Sequence, residues 1–283
     1  MIAKLFLGLV GLILAPFVGG LIAGLDRRVT ARMQSRFGPP VLQPFYDVLK
    51  LLGKGANTVN AWLVLCSYLT LMSSALAVFL FFYQADLLLI FFVMTIGAVF
   101  QVMGALSVNS PYSQVGAQRE LIQMLTYEPL IIIVFIGIAM KTGSFSIGSI
   151  YALDTPLLCS LPIMFLALGV ALTIKLRKSP FDISASHHGH QEIVRGVLTE
   201  YTGAQLAMLE VAHWLDVVLI LGLCSLFWTT SWIGMIILLV VTYFAELLID
   251  NISSRLTWQW MLKRVLAPTM ILCVVNLLWL QAM

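Results

Sequence analysis

The sequence predicts an all-α integral membrane protein, a bundle of about eight transmembrane helices with amphipathic interfacial helices and two long cytoplasmic loops. Three observations lead to this prediction. The chain is 60% hydrophobic, its mean hydropathy is +0.99, and only 10% of its residues are charged. A soluble domain carries about 25% charged residues. A surface solvated by water is therefore excluded, and lipid is the expected solvent.

Eight apolar runs are long enough to cross a bilayer, for which about 20 residues are needed. They cover residues 5–25, 61–83, 87–108, 119–140, 157–175, 203–228, 232–250 and 264–281. The first run could be a signal peptide, but its basic flank follows the run instead of preceding it. We therefore expect one polytopic membrane domain over residues 1–283.

The distribution of basic residues predicts the orientation of the chain. Fourteen of the sixteen lysines and arginines lie in the odd-numbered loops, and only Lys4 and Lys141 lie on the other side. Basic loops stay in the cytoplasm. The odd loops are therefore predicted to be cytoplasmic, with both termini outside.

The first of the two long cytoplasmic loops, at about 26–60, combines arginines with a proline-rich stretch. Residues 41–54 place apolar side chains at helical spacing, as an interfacial amphipathic helix does. Gly38-Pro39-Pro40 precedes that stretch, and prolines fix a rigid, non-helical backbone. Such a shape suits a docking platform better than a generic loop. The candidate docking residues here are Arg27, Arg28, Arg32, Arg36, Gly38, Pro39, Gln43 and Pro44.

The second long loop, at about 176–202, is rich in histidine and carboxylate. Its histidines, His187, His188 and His190, lie close together without a cysteine, which is weak evidence for zinc. Proton handling or docking is the favoured interpretation, and a solvated loop is the alternative. Asp182, Glu192 and Glu200 in this loop could line the entrance of a proton path.

Ionisable residues inside the apolar runs are candidates for function, because each costs about 2.5–3.5 kcal/mol to insert at mid-bilayer. Five qualify: Glu128, Glu210, His213, Asp216 and Glu246. The three on the sixth run are spaced by three residues and form a stripe along one helix face. We predict a proton path through these residues. The alternative is a set of hydrogen bonds between helices.

Redox and nucleotide motifs are missing from the sequence. The four cysteines lie far apart and form no C-x-x-C pair, so neither an iron–sulfur cluster nor a zinc ribbon is encoded. No phosphate-binding glycine motif occurs. We expect no metal and no cofactor on this chain, the lipid bilayer as a partner, and no nucleic acid.

Three segments together resemble a known family. They are DRRVTARMQSRFGPPVLQPFYDVLKL at 26–51, GAQRELIQMLTYEP at 116–129 and SPFDISASHHGHQEIVRGVLTEYTG at 179–203. The chain is similar to the complex I membrane-anchor subunits (the NuoH-like family), which join complex I to its peripheral arm. The resemblance covers nearly the whole chain and implies a helical membrane subunit.

One departure from the complex I pattern indicates a branch of that family. Complex I members usually carry Glu-Ala-Glu after Pro-Phe-Asp, beside the quinone chamber, whereas this chain has Ser-His-His-Gly-His-Gln-Glu at 186–192. That version resembles the Ech and CO-induced energy-converting NiFe hydrogenases. The resemblance implies a prokaryotic cytoplasmic membrane and a role in coupling hydrogen evolution or uptake to proton or sodium translocation.

The partners that this branch implies are a NiFe large subunit, an iron–sulfur small subunit, a ferredoxin-like subunit and an antiporter-like membrane subunit. The nickel–iron and iron–sulfur clusters would sit on those partners. One alternative is the quinone-chamber subunit of an NADH:quinone oxidoreductase. A second is a stand-alone cation transporter. The absence of an internal sequence repeat argues against this alternative.

The orientation can be tested by cysteine labelling. A cysteine placed at Ser35 or at Ser186 should react with a membrane-impermeant reagent only from the cytoplasmic side, because both positions lie in odd loops. Labelling from outside at either position would reverse the proposed topology.

Overall fold

The computed structural model describes residues 2–55, 60–181, 184 and 195–282. Asp182, Glu192 and the three candidate histidines, His187, His188 and His190, therefore lie outside the described residues. The described chain is built of α-helices joined by short connections, as the sequence predicted.

The helices follow one another in a simple order. The first five are α1 (Ile2–Met33), α2 (Gln43–Leu52), α3 (Ala61–Phe82), α4 (Leu87–Leu106) and α5 (Pro111–Thr142). Next come the one-turn helices α6 (Ile147–Ile150) and α7 (Leu157–Ser160), then α8 (Pro162–Lys175), α9 (Gly203–Ser225) and α10 (Trp232–Ile252). The last span joins α11 (Trp258–Trp260), a π-helical stretch (Met261–Leu266) and α12 (Ala267–Ala282).

Within the described residues, seven helices are long and apolar enough to cross a membrane. The predicted fifth span, 157–175, differs from the prediction because it breaks at Leu161 into α7 and α8. Pro162 begins α8, where its missing N–H and fixed φ suit a helix start and prevent continuation from α7. With 14 residues, α8 is about 21 Å long, which is shorter than the bilayer core.

Several helices extend beyond the predicted spans. Helix α1 continues to Met33, so the first long loop begins eight residues later than predicted, and Arg27, Arg28 and Arg32 are helical. Helix α5 begins at Pro111, eight residues before the predicted span, so Glu120 lies well inside the helix instead of at its start. The apolar run marks only the part of a helix that lies in lipid, whereas arginine and glutamate are also good helix formers.

The predicted interfacial helix is present as α2, and it packs against two spans. The Phe45 ring lies 6.4 Å from the Phe17 ring of α1 and 5.4 Å from the Trp214 ring of α9. Glycines on α1 make this approach possible: a Cβ at Gly20 would overlap the Phe45 ring, and one at Gly24 would overlap the Val41 carbonyl. Small residues commonly permit such close packing between membrane helices.

Helix α9 lies at the centre of the bundle and contacts α1, α2, α3 and α8. The buried core continues through α5, which packs against α4 and α8. By contrast, only 17% of the apolar window is buried in α10 and in the last span. These two helices thus present most of their apolar surface outward.

Candidate ion path

Three basic residues at the end of α8, here called the cationic segment, pair with carboxylates on three different helices. Their partners lie on α9, α5 and α1, in the pairs Lys175 Nζ–Asp216 Oδ2 at 3.4 Å, Arg177 Nη2–Glu120 Oε1 at 3.8 Å and Lys178 Nζ–Asp26 Oδ1 at 2.9 Å. The side chains of all six residues are between 7% and 23% exposed. Buried ions are stable only when they are paired in this way.

The backbone after α8 explains how neighbouring residues reach different helices. Arg177 adopts a positive φ of 53°, which turns the chain out of the helix. The next residue but one, Ser179, donates its N–H to Asp250 Oδ1 at 2.9 Å and its hydroxyl to the Ser253 carbonyl at 2.9 Å. The segment is therefore attached to α10 as well.

A small polar cavity, the inner cavity, lies among α3, α4, α5, α8 and α9. Its ionisable lining is Glu120, Tyr127, Lys175, Arg177, His213 and Asp216. Its volume of about 20 Å³ is enough for roughly one water molecule. Lys175 also lies 4.9 Å from the centre of the Tyr127 ring, and such a cation–π contact stabilises the ammonium further.

Two larger cavities open toward the end of the bundle that carries Arg27, Lys50 and Arg255, here called the basic end. The basal cavity has a volume of about 300 Å³, and its charged lining is Asp26, Arg27, Arg177, Lys178, Glu210, Asp250 and Arg255, together with His213. The α2 cavity has a volume of about 280 Å³, and its charged lining is Arg27, Asp47, Lys50, Arg195 and Glu210.

Shared side chains connect the three cavities in series. Glu210 lines both the α2 cavity and the basal cavity. His213 and Arg177 line both the basal cavity and the inner cavity. The structure thus places the predicted stripe of Glu210, His213 and Asp216 along a row of three neighbouring polar cavities, from the basic end into the bundle.

The other predicted path residues lie to the side of this row. Glu128 is half-buried one residue after Tyr127, and the Lys175 ammonium acts on it electrostatically. Glu246 is 4% exposed and lies against Gly169 and Thr173 of α8. Glu200 lies half-buried in the turn before α9. Neither Glu246 nor Glu200 is part of the lining of the three cavities.

The predicted docking residues divide into two groups. Arg27 binds within the chain, with Nη1 3.0 Å from Asp47 Oδ2 of α2. Gln43 donates to the other oxygen of Asp47 at 3.1 Å, and Pro44 is buried. The exposed group consists of Arg28, Arg32, Arg36 and Pro39, with Gly38 half-buried beside them, and Arg27 itself is also exposed. Arg32 stacks on Phe37, with its guanidinium carbon 4.9 Å from the ring centre.

The sequence analysis missed several residues of the site: Asp26, Glu120, Lys175, Arg177 and Lys178. The three cations were attributed to orientation in the membrane, because they follow an apolar run. Glu120 is buried and accepts a hydrogen bond from Ser184, although it also lies near the end of a predicted span. The available signal was that carboxylates and basic residues lie close to the ends of several apolar runs, where they could pair with one another.

Comparison with protein families matches residues 6–281 to NADH dehydrogenase. The chain belongs to this family. This membership confirms the predicted resemblance to the complex I membrane-anchor subunits, and the chain is a multi-pass membrane subunit of that type.

Three similar proteins are between 30% and 32% identical to this chain over the matched residues. Hydrogenase-4 component C of Escherichia coli is 32% identical over 66% of this chain and 64% of its own length. One NADH-quinone oxidoreductase subunit, from Rubrobacter xylanophilus, is 31% identical over 73% of this chain and 69% of its own length. The chain thus spans about two thirds of these relatives. An F(420)H(2) dehydrogenase subunit, from Methanosarcina mazei, is 30% identical over 80% of this chain and 73% of its own length.

The fold agrees with a solved membrane complex. A chain of the membrane-bound sulfane sulfur reductase, an archaeal respiratory membrane complex, superimposes with a TM-score of 0.88, at 24% identity over 98% of this chain and 99% of the other. At this identity the similarity concerns the fold alone.

The pair between Lys178 and Asp26 should be important for stability. Replacing Lys178 with Met leaves the partly buried Asp26 carboxylate without its cation, which costs about 3 kcal/mol of unfolding free energy. The double variant Lys178→Met with Asp26→Leu removes both charges and should recover most of that loss. Thermal unfolding of the purified protein measures this, and a double variant as unstable as the sum of the single variants would contradict it.

Proposed function

We propose that the chain is the membrane-anchor and ion-path subunit of a complex I-like energy-converting NiFe hydrogenase. It couples electron transfer to protons, in hydrogen evolution or uptake, to the translocation of an ion. The single observation that carries this proposal is the row of three polar cavities, connected by Glu210, His213 and Arg177, that reaches into an otherwise apolar bundle.

The proposed path begins at the basic end, in the α2 and basal cavities, and runs along α9. Glu210, half-buried and paired with Arg195 at 3.5 Å, is the first acceptor. His213 stands between the basal and inner cavities, and an imidazole can both accept and donate a proton near neutral pH. Asp216 follows in the inner cavity. Glu128, one residue after the lining residue Tyr127, is proposed as the next carboxylate beyond that cavity, and both carboxylates interact with Lys175.

Two observations support the hydrogenase branch. The sequence after Pro-Phe-Asp carries three histidines in place of the acidic complex I version. Among the relatives, a hydrogenase component and formate hydrogenlyase subunit 4 of Escherichia coli, which is 29% identical over 68% of this chain, stand beside quinone oxidoreductase subunits. The partners proposed are the NiFe large subunit, the iron–sulfur small subunit, the ferredoxin-like subunit and the antiporter-like subunit, which hold the metal clusters.

The proposed docking surface is the exposed group Arg28, Arg32, Arg36, Gly38 and Pro39 at the basic end, which faces the cytoplasm of a prokaryotic cell in this proposal. Guanidinium groups form strong, charge-assisted contacts with carboxylates of a partner. Arg27 is exposed beside this surface and also contacts Asp47, so it can connect α2 to α1 as well as take part in docking.

A quinone-chamber subunit is the second candidate function. An apolar crevice of about 770 Å³ lies between α1, α9 and α10 and shares Ile22 and Tyr243 with the basal cavity. An apolar chain in the crevice could therefore bring a polar head to the basal cavity. Assaying the purified complex for nickel, iron and quinone distinguishes the two functions, since nickel is expected only in the hydrogenase.

The docking surface can be tested by substitution. Replacing both Arg32 and Arg36 with Ala should release the soluble hydrogenase module from the membrane, since charge-assisted contacts are lost. Immunoblots of washed membranes measure the bound fraction. The matched control replaces Lys4 and Lys141 at the opposite end, and should leave the module bound. Retention of the module by the arginine variant at moderate salt would leave those arginines as orientation signals only.

The path can be tested at its carboxylates. Glu128→Gln and Glu210→Gln keep the size of the side chain but remove the exchangeable proton. Dye-linked hydrogen oxidation should survive, because the nickel site lies on a partner, whereas the initial rate of ion translocation should fall about 10²-fold, as for a lost proton-transfer group, and the gradient formed per hydrogen should fall with it. Inverted membrane vesicles measure the gradient, with the exposed Asp154→Asn as control. Pumping by both glutamine variants at the wild-type ratio would show that the path lies elsewhere.

A further inference from the structure

The size of the inner cavity limits what can pass through it. Its volume of about 20 Å³ holds roughly one water molecule. A single water is sufficient to pass a proton between neighbouring groups. A sodium ion must instead exchange its hydration shell for several oxygen ligands at once, and Asp216 Oδ2 and Glu120 Oε1 in this lining are already paired with cations.

The charges of the lining oppose a metal cation as well. Two carboxylates, Glu120 and Asp216, and two cations, Lys175 and Arg177, are part of it, so their formal charges cancel. Each carboxylate already has a cation within 4 Å, at 3.8 Å for Glu120 and 3.4 Å for Asp216. A sodium ion would thus be a third cation beside two fixed ones, and like charges repel strongly where the dielectric constant is low.

Beside Lys175, the Asp216 carboxylate can still take up a proton. Asp216 Oδ2 binds the ammonium, whereas the buried Oδ1 of the same carboxylate has no hydrogen-bond partner among the described residues. When an excess proton reaches the cavity as a hydronium ion, one of its O–H bonds breaks and an O–H bond forms on Asp216 Oδ1, which leaves a water molecule and a neutral carboxyl group. The Lys175 ammonium then still interacts electrostatically with a second carboxylate, that of Glu128. When the O–H bond breaks, the proton returns to water and the original pair re-forms.

We infer that the inner cavity conducts protons and excludes sodium ions, and that the Lys175 ammonium is the positioning group responsible for this selectivity. The inference rests on the proposed ion path and specifies which ion uses it. Lys175 occupies the place that a bound cation would need, next to the Asp216 carboxylate.

A labelling experiment on the assembled complex tests this inference without relying on activity. Dicyclohexylcarbodiimide modifies protonated carboxyl groups in apolar surroundings, and bound sodium protects them. In wild-type membranes, modification of Asp216 and Glu128, measured by mass spectrometry, should be unaffected by NaCl when choline chloride keeps the ionic strength constant. Protection by sodium in the wild type would overturn the inference.

Variants at Lys175 test the role of the ammonium. Lys175→Gln leaves the lining with a net charge of −1, so sodium should now protect Asp216, at a concentration at least about tenfold lower than any effect in the wild type. Lys175→Arg retains the cation and should exclude sodium as the wild type does, and the exposed Lys141→Gln is the matched control. If Lys175→Gln assembles with its partners and still shows no protection, Lys175 does not set the selectivity.

The two proposals fail in different ways. Sodium protection in the wild type, combined with loss of pumping in the Glu128→Gln and Glu210→Gln variants, would leave the ion path intact and overturn its proton selectivity. Normal pumping by those glutamine variants would overturn the ion path itself, whatever the effect of sodium.

Discussion

A charge inside a bilayer must have a partner, and the rest of this structure depends on how that requirement is met at the end of α8. Removing one member of a buried ion pair costs several kcal/mol. Lys175, Arg177 and Lys178 meet the requirement by contacting Asp216, Glu120 and Asp26 on three spans. These contacts fix the positions of α9, α5 and α1 around α8, and the inner and basal cavities lie on either side of Arg177 and His213, which line both.

The same pairs explain how polar spaces can exist in an apolar bundle. Ordinary apolar side chains would fill the gap between α8 and α9. Charged side chains instead keep their hydrogen-bonding groups directed at one another and at water, so that small cavities remain between them. Structural stability and ion conduction would therefore use the same residues, and the chain needs no separate scaffold for its proposed path.

Much of the fold could be predicted from the sequence, because hydropathy directly reports which segments lie in lipid. The amphipathic α2 could also be predicted, from the spacing of Val41, Phe45 and Val48. The ends of the helices could not, since helical residues outside lipid have no apolar signal. The break at Leu161 was missed for a different reason. Pro162 lies within an apolar run, and only the backbone reveals that it begins a new helix.

The site was predicted only in part. Glu210, His213 and Asp216 share one helix face, so their spacing alone identified the stripe. Their partners come from other helices, and the sequence contains no record of which spans are neighbours. Lys175 illustrates the difficulty. A lysine after an apolar run has the same appearance whether it orients the chain in the membrane or pairs with a buried aspartate.

The length of α8 has a consequence for how such a chain can change over time. Each residue added to a helix rotates the next part of the chain by about 100° and advances it by about 1.5 Å. One insertion or deletion between Pro162 and Lys175 would direct all three cations away from their carboxylates at once, whereas exchanges of one apolar residue for another would not. The length of helix α8 thus determines where the three cations lie. We expect descendants of this sequence to vary in the composition of the helix while its number of residues, fourteen, stays constant.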